Sequence, residues 1–305
     1  MRIAAVGDIH FTEGLSGSMQ AQFARLSDEA DVLLLAGDLT NMGQPGEMGA
    51  LLDELAEVRV PIVAVLGNHD HESEAAQEIS NLMADRGVHV LDGGPVDLTV
   101  GGLTLGVAGV KGFCGGFRAL QVRPFGERAL KDFIADTVHE AKKLETAIAS
   151  MQTDVRIALL HYAPIKETMG EENPEIYAFL GSSLLIEAIE RGGGVHAIFH
   201  AHAHRGAAEA KTSHGVPVYN VAMPVMRRPY SVVTLEPGQA LSSPAAPSPP
   251  AALSPPATPS WPTARSSPAT PSAPGAHRED TRGAHTAGRA AARPGAAHRP
   301  PAGKQ

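Results

Sequence analysis

Residues 62–70 read Ile62-Val63-Ala64-Val65-Leu66-Gly67-Asn68-His69-Asp70: five aliphatic residues, a glycine, then three polar side chains able to do chemistry. An unbroken aliphatic run of this length is the pattern of a strand buried on both faces, as in a parallel sheet. The same figure recurs. Ile3 to Val6 runs into Gly7-Asp8-Ile9-His10, Val32 to Leu35 into Gly37-Asp38, Val155 to Leu160 into His161, and Val195 to Phe199 into His200-Ala201-His202-Ala203-His204. Ligands of α/β sheets bind beyond the carboxyl ends of strands, so five tips distant in sequence are expected to meet at one place.

Helical patterns lie between the runs. Near 126–150, Leu130, Phe133, Ile134, Val138, Ala141, Leu144 and Ile148 recur at helical spacing and are expected on one buried face. Stretches near 17–29, 46–58, 74–86 and 181–191 also read as helices, and the alternation predicts an α/β fold with its sheet covered on both faces. Val96 to Val110 reads as a hairpin turning at Gly101-Gly102, and Val216–Val221 and Tyr230–Leu235 as closing strands.

Composition changes beyond Pro237. From Leu241 onward the chain is Ala, Pro, Ser, Gly and Arg, with Trp261 its only aromatic residue. Such a segment buries too little apolar surface to offset its chain entropy, so residues 238–305 are expected to be disordered, whether an interaction tail or the product of a frameshift, and residues 1–237 to form one domain. Of the net charge of −8, residues 241–305 carry +5, seven Lys/Arg against Glu279 and Asp280; −8 less +5 leaves −13 on the rest. An acidic body disfavours nucleic acid as a partner, because affinity for a phosphate backbone comes largely from Lys and Arg. The single cysteine, Cys114, excludes an internal disulfide framework and fits a reducing compartment. The N-terminal apolar run is too short for a signal peptide, and no run of about 18 apolar residues occurs, so a cytoplasmic protein with no membrane contact is expected.

Each polar tip alone is weak: Asp-x-His arises by chance, and a lone Asp after a strand is often a helix cap. Taken together, Asp8-x-His10, Gly37-Asp38, Gly67-Asn68-His69-Asp70, His161 and His202-x-His204 offer imidazole, carboxylate and amide oxygen with no thiolate, a donor set that selects Mn²⁺, Fe or Zn²⁺ over soft metals. This ordered set resembles the calcineurin-like metallophosphoesterase superfamily, whose pattern is D-x-H, GD, GNH[DE], H and GHxH, and the resemblance covers Ile3 to about Leu235. With Gly37-Asp38-Leu39-Thr40-Asn41 it is similar to the bacterial branch of small phosphodiesterases.

The resemblance implies a four-layer α/β/β/α sandwich and two divalent ions. It implies that Asp8, His10, Asp38 and His204 hold one and that Asp38, Asn68, His161 and His202 hold the other, with Asp38 bridging. Such a pair lowers the pKa of water and polarises phosphoryl oxygens for in-line attack. It further implies that His69 protonates the leaving group of a small phosphodiester or phosphomonoester, with its neighbour Asp70 placed to orient the ring and keep its proton. A nuclease of the same superfamily, or a non-catalytic scaffold that kept the fold, are the alternatives; all eight positions are intact, against the latter.

Four features stand apart. Ala201 replaces the usual Gly of the last block, and an Ala forced into the left-handed region there would cost on the order of 1–2 kcal/mol. His200 is expected to be a buried, hydrogen-bonded histidine rather than a ligand, and His71 a surface residue. The loop Lys111-Gly112-Phe113-Cys114-Gly115-Gly116-Phe117-Arg118 could close over a substrate or merely connect, and Cys114 is expected to be incidental.

Overall fold

The computed structural model describes residues 1–236; the expected tail and the domain boundary at 237/238 lie outside the described residues. In chain order the strands are β1 (Arg2–Val6), β2 (Val32–Ala36), β3 (Ile62–Val65), β4 (His89–Val90), β5 (Pro95–Val100), β6 (Leu103–Val110), β7 (Val155–Leu160), β8 (Ala197–His200), β9 (Glu209–Lys211), β10 (Pro217–Asn220) and β11 (Ser231–Thr234). The helices are α1 (Gln20–Ala24), α2 (Leu26–Glu29), α3 (Pro45–Glu54), α4 (Ala76–Asp85), α5 (Arg128–Ser150), α6 (Tyr177–Leu180), α7 (Ser183–Gly192) and α8 (Met223–Met226).

The strands form two sheets, β11-β1-β2-β3-β4 and β5-β6-β7-β8-β10-β9. Within them β1-β2-β3-β4 run parallel, as do β6-β7-β8-β10. The aliphatic runs are buried on both faces because each faces a different layer. Ala4, Val6, Leu33 and Leu35 pack with Met48, Leu51, Ile79 and Met83 of α3 and α4. Ile3, Ala5, Val32 and Leu34 face the second sheet through Leu105, Val107, Ile157 and Phe199. The far face of that sheet, including Val110, Ala158, Leu160 and Ile198, is covered by Leu144, Ile148, Leu185 and Ile189 of α5 and α7. The result is the α/β/β/α sandwich.

The hairpin turns at Gly101 and Gly102 with φ of 57° and 83°, the left-handed pair that a two-residue loop between twisted strands requires. Three details differ from the sequence reading. The helix expected over 17–29 is two short helices broken at Arg25. Val138 is exposed, because the buried stripe of α5 advances by alternating steps of three and four through Ile134, Thr137, Ala141, Leu144 and Ile148. Thr137 and Glu140 lie on that side because they serve the loop 111–118: Thr137 Oγ1 donates to the Cys114 carbonyl (2.6 Å), and Glu140 accepts the Gly112 amide (2.9 Å).

Candidate metal centre

Asp8 and His10 follow β1, Asp38 follows β2, Asn68 and His69 follow β3, His161 follows β7, and His202 and His204 follow β8. Extended backbone alternates its side chains, so consecutive tip residues reach one place only if the chain turns sharply. It does so through left-handed residues: φ is 53° at Asp8, 47° at His10, 48° at Asp38 and 70° at His202. A non-glycine residue there costs about 1–2 kcal/mol, and such strain gathers at functional sites.

Glycines make room beside them. A Cβ on Gly67 would fall inside the carboxylate and amide of Asp38, and one on Gly37, itself at φ 82°, would lie 2.7 Å from the His161 ring. Gly67→Ala is therefore expected to displace Asp38, lowering stability by about 1–3 kcal/mol and depressing metal content more than helix content. Thermal melting and metal analysis of the variant check this; a wild-type metal content would show the loop to be compliant.

The tips bring ligand-type atoms of Asp8, His10 and His204 within 4.8 Å of one another, and likewise those of Asp38, His161 and His202. His204 Nε2 lies 3.2 Å and His10 Nε2 4.0 Å from Asp8 Oδ1, while His161 Nε2 is 3.3 Å and His10 Nε2 3.9 Å from the two oxygens of Asp38. Most of these separations are long for hydrogen bonds, yet they suit atoms that each sit about 2.1 Å from a shared ion. Among the described residues Asp8 Oδ1 and His10 Nε2 are buried with no hydrogen-bond partner, a costly condition that a cation would relieve. The residues present thus fit divalent ions. Asp8 Oδ2 accepts the His202 amide, and Asp38 Oδ1, the oxygen that faces His161, also accepts the His69 amide, both at 2.8 Å.

Main-chain carbonyls orient the rings. A carbonyl only accepts, so the ring nitrogen facing it carries a hydrogen and the other nitrogen faces the centre. His161 Nδ1 donates to Ala36 (2.9 Å), His202 Nε2 to Phe179 (3.2 Å), and His69 Nδ1 to Asn41 (2.7 Å). His161 Nε2 also meets Asn68 Oδ1 at 3.0 Å. The His10 ring packs edge-on against His69 (4.5 Å) and His204 (5.3 Å).

Asp70 does something other than the sequence reading expects. Its buried carboxylate accepts the amides of Gly67 (2.8 Å), Leu39 (3.1 Å) and Thr40 (2.8 Å) and the Thr40 hydroxyl (2.6 Å). It ties the β2 tip to the β3 tip, and the carbonyl of Asn41 takes the orienting role. Ala201 is also relieved of the expected strain: the left-handed residue is His202, and the Ala201 methyl fills space that a Cβ on Gly7 would contest at 2.5 Å.

His200 is fully buried, donating from Nδ1 to the Ala201 carbonyl (2.8 Å) and meeting Thr168 Oγ1 at 2.9 Å, so it supports the loop rather than entering the centre. His71 is exposed. Cys114 is buried, which pushes its thiol pKa up, and its Sγ points to the Phe179 carbonyl. The loop 111–118 is pinned at Gly115 to Ala178 (2.7 Å), at Gly116 to Gly181 (2.8 Å), and at Arg118 to Ser183 (2.8 Å), the contacts of a connector.

Proton affinities divide the histidines. Burial pushes His202 down to about 3 and His200 to about 4. Burial opposes the proton on His161 too, but Asp38 beside it raises the pKa to about 9, and His161 in return holds Asp38 well below the usual carboxylate range. At neutral pH metal-free His161 therefore holds a proton that an ion must displace, whereas His202 does not. Metal uptake is expected to release protons, with affinity rising as pH climbs toward about 9. Calorimetry in buffers of different ionisation enthalpy measures the number released; uptake with no proton release at pH 7 would contradict the assignment of His161 as a ligand.

Comparison with known proteins gives the family. The calcineurin-like phosphoesterase family matches residues 1–206. No curated protein matches the chain by sequence. Among solved structures, the phosphopantetheinyl hydrolase of Mycobacterium tuberculosis is similar, with 14% identity and a TM-score of 0.54 over 76% of this chain and 95% of that one. TT1561 of Thermus thermophilus shows 17% identity and a TM-score of 0.45, over 76% of this chain and 98% of that one. Likeness at such identities is of fold alone. The match over residues 1–206, which contains every tip described above, makes this chain a member of the calcineurin-like phosphoesterase family.

Proposed function

We propose that the chain is a two-metal hydrolase of a small phosphodiester or phosphomonoester. The observation that carries this reading is the attitude of Asp38, whose Oδ1 faces His161 and whose Oδ2 faces His10, so one carboxylate serves both clusters. Asp8, His10, Asp38 and His204 would hold one ion and Asp38, Asn68, His161 and His202 the other, with Mn²⁺, Fe or Zn²⁺ suiting the donor set. When bound, such ions lower the pKa of water and polarise phosphoryl oxygens.

The chain's own residues supply the rest. Asp38 would offset the repulsion between two bound cations, and the carbonyls of Ala36 and Phe179 keep the His161 and His202 lone pairs aimed inward. His69, held by Asn41, presents Nε2 beside the centre and can pass a proton to a departing oxygen. The acidic body favours small substrates over nucleic acid. Buried Cys114 accords with a cytoplasmic setting, and among the described residues no helix is long and apolar enough to cross a membrane. Mn²⁺-loaded protein screened against cyclic nucleotides, nitrophenyl esters and phospholipid head groups tests the reading. Turnover that chelation removes is expected; a metal-replete protein inert toward all three would overturn it.

A further inference from the structure

Beside the metal centre a cavity of about 370 Å³ opens between α4, β4, α5 and the ends of β3 and β6. It shares chain with the centre. Leu66 on its wall lies two residues before Asn68, and His71 ends the short turn that begins at His69. The Lys111 carbonyl accepts the amides of His161 (3.2 Å) and Tyr162 (3.0 Å). The Tyr162 ring joins the two: its centroid lies 4.3 Å from that of the His202 ring and 5.3 Å from Lys111 Nζ.

The charges inside are unequal in their partners. Lys143 pairs with Glu140 (2.6 Å) and with Asp92, and Glu140 also takes the Gly112 amide, so both carboxylates are engaged. Lys111 has no carboxylate within 4.0 Å among the described residues. Its ammonium donates to the Gly112 carbonyl (3.0 Å) and rests against the rings of Phe113 (4.8 Å) and Tyr162. An ammonium has three donors, which leaves two for a ligand. Leu66, Val90 and Leu91 supply apolar wall beside them, the usual mixture for a small-molecule subsite.

We propose that this cavity receives the departing arm of the substrate and that Lys111 binds a second anionic group, phosphate or carboxylate, carried on that arm. The inference rests on the phosphoesterase reading above. It follows from adjacency: the Tyr162 ring touches both the His202 ring and Lys111, and His71, two residues after His69, lines the cavity.

The test compares three alkyl phosphodiesters with departing arms of one length that end in phosphate, carboxylate or hydroxyl. The wild-type full chain loaded with Mn²⁺ is expected to show KM lower by roughly 10- to 100-fold for an anionic arm, the range of a hydrogen bond to a charged group. Which anion gains more separates phosphate from carboxylate. Lys111→Met is expected to bring the KM ratio to parity, and Lys111→Arg to restore it. A second measurement, titration of inorganic phosphate by calorimetry with metal chelated, reads the cavity without turnover; Lys111→Met is expected to lose that binding. Equal KM values for the three arms in the wild type, or phosphate binding indifferent to Lys111, would overturn the proposal. Failure to hydrolyse any of the esters would instead count against the phosphoesterase reading, with the phosphate titration still deciding the subsite.

Discussion

Asp38→Asn is expected to lose metal at both positions and to reduce turnover beyond the effect of any other single substitution in the centre. Changing a group that only supports a ligand costs about 10–100-fold in metal affinity, and in the proposed centre Asp38 is itself a ligand. Its two oxygens face two clusters. An amide keeps the shape, and its oxygen can still accept the His69 amide, so the fold is expected to survive. What it lacks is the charge with which Asp38 would hold two cations together in the proposed centre. A second consequence separates this from simple damage. The His161 pKa stands at about 9 because Asp38 is beside it, so in Asp38→Asn burial is left unopposed and His161 gives up its proton at lower pH. Proton release on any residual metal uptake at pH 7 should therefore shrink. Metal analysis, turnover and calorimetry together decide the matter; two equivalents of metal with a near-normal rate would show that the two-metal assignment is wrong.

His69→Ala is expected to separate proton donation from metal chemistry. If Nε2 serves only to protonate the departing oxygen, its loss is severe for esters with a high-pKa alcohol and mild for nitrophenolate, which leaves without help. The gap between the two substrates should be on the order of 10²–10⁴-fold, the contribution of a general acid. A specific observation favours a rival role. A ring nitrogen of His69 lies within 4.8 Å of ligand atoms of His10 and Asp38, close enough to join an ion there. The two roles part in one measurement: an acid leaves metal content unchanged, whereas a ligand takes metal with it and depresses both substrates alike.

Most of the fold was legible because the chain writes its two-sided burial directly. Runs such as Ile62 to Leu66 have no polar face to offer, and only a sheet covered on both sides accepts them. The short edge strands His89–Val90 and Glu209–Lys211 gave no such signal, since two or three residues cannot display a period. Within the site, ligand-type atoms of Asp8, His10, Asp38, His69, His161, His202 and His204 come together at the tips. The groups that aim those side chains were invisible, and for a physical reason: the orienting acceptors are the carbonyls of Ala36, Asn41 and Phe179, and a carbonyl leaves no trace in residue identity. Asp70 was misjudged for a related cause. Adjacency to His69 in sequence suggested a carboxylate-imidazole pair, but the turn directs the two side chains apart and sends Asp70 to the amides of Leu39, Thr40 and Gly67.

The left-handed backbone at Asp8, His10, Asp38 and His202 also leaves a mark on how this sequence can drift. At each of the four, glycine would be the more comfortable residue, and under the proposed reading the work of the side chain keeps it away. A lineage that abandoned the chemistry while keeping the sandwich would be drawn downhill toward glycine at these positions, even with no selection for their loss. Glycine appearing at several of the four in a relative that kept the sandwich would accordingly mark a chain that had given up the proposed chemistry.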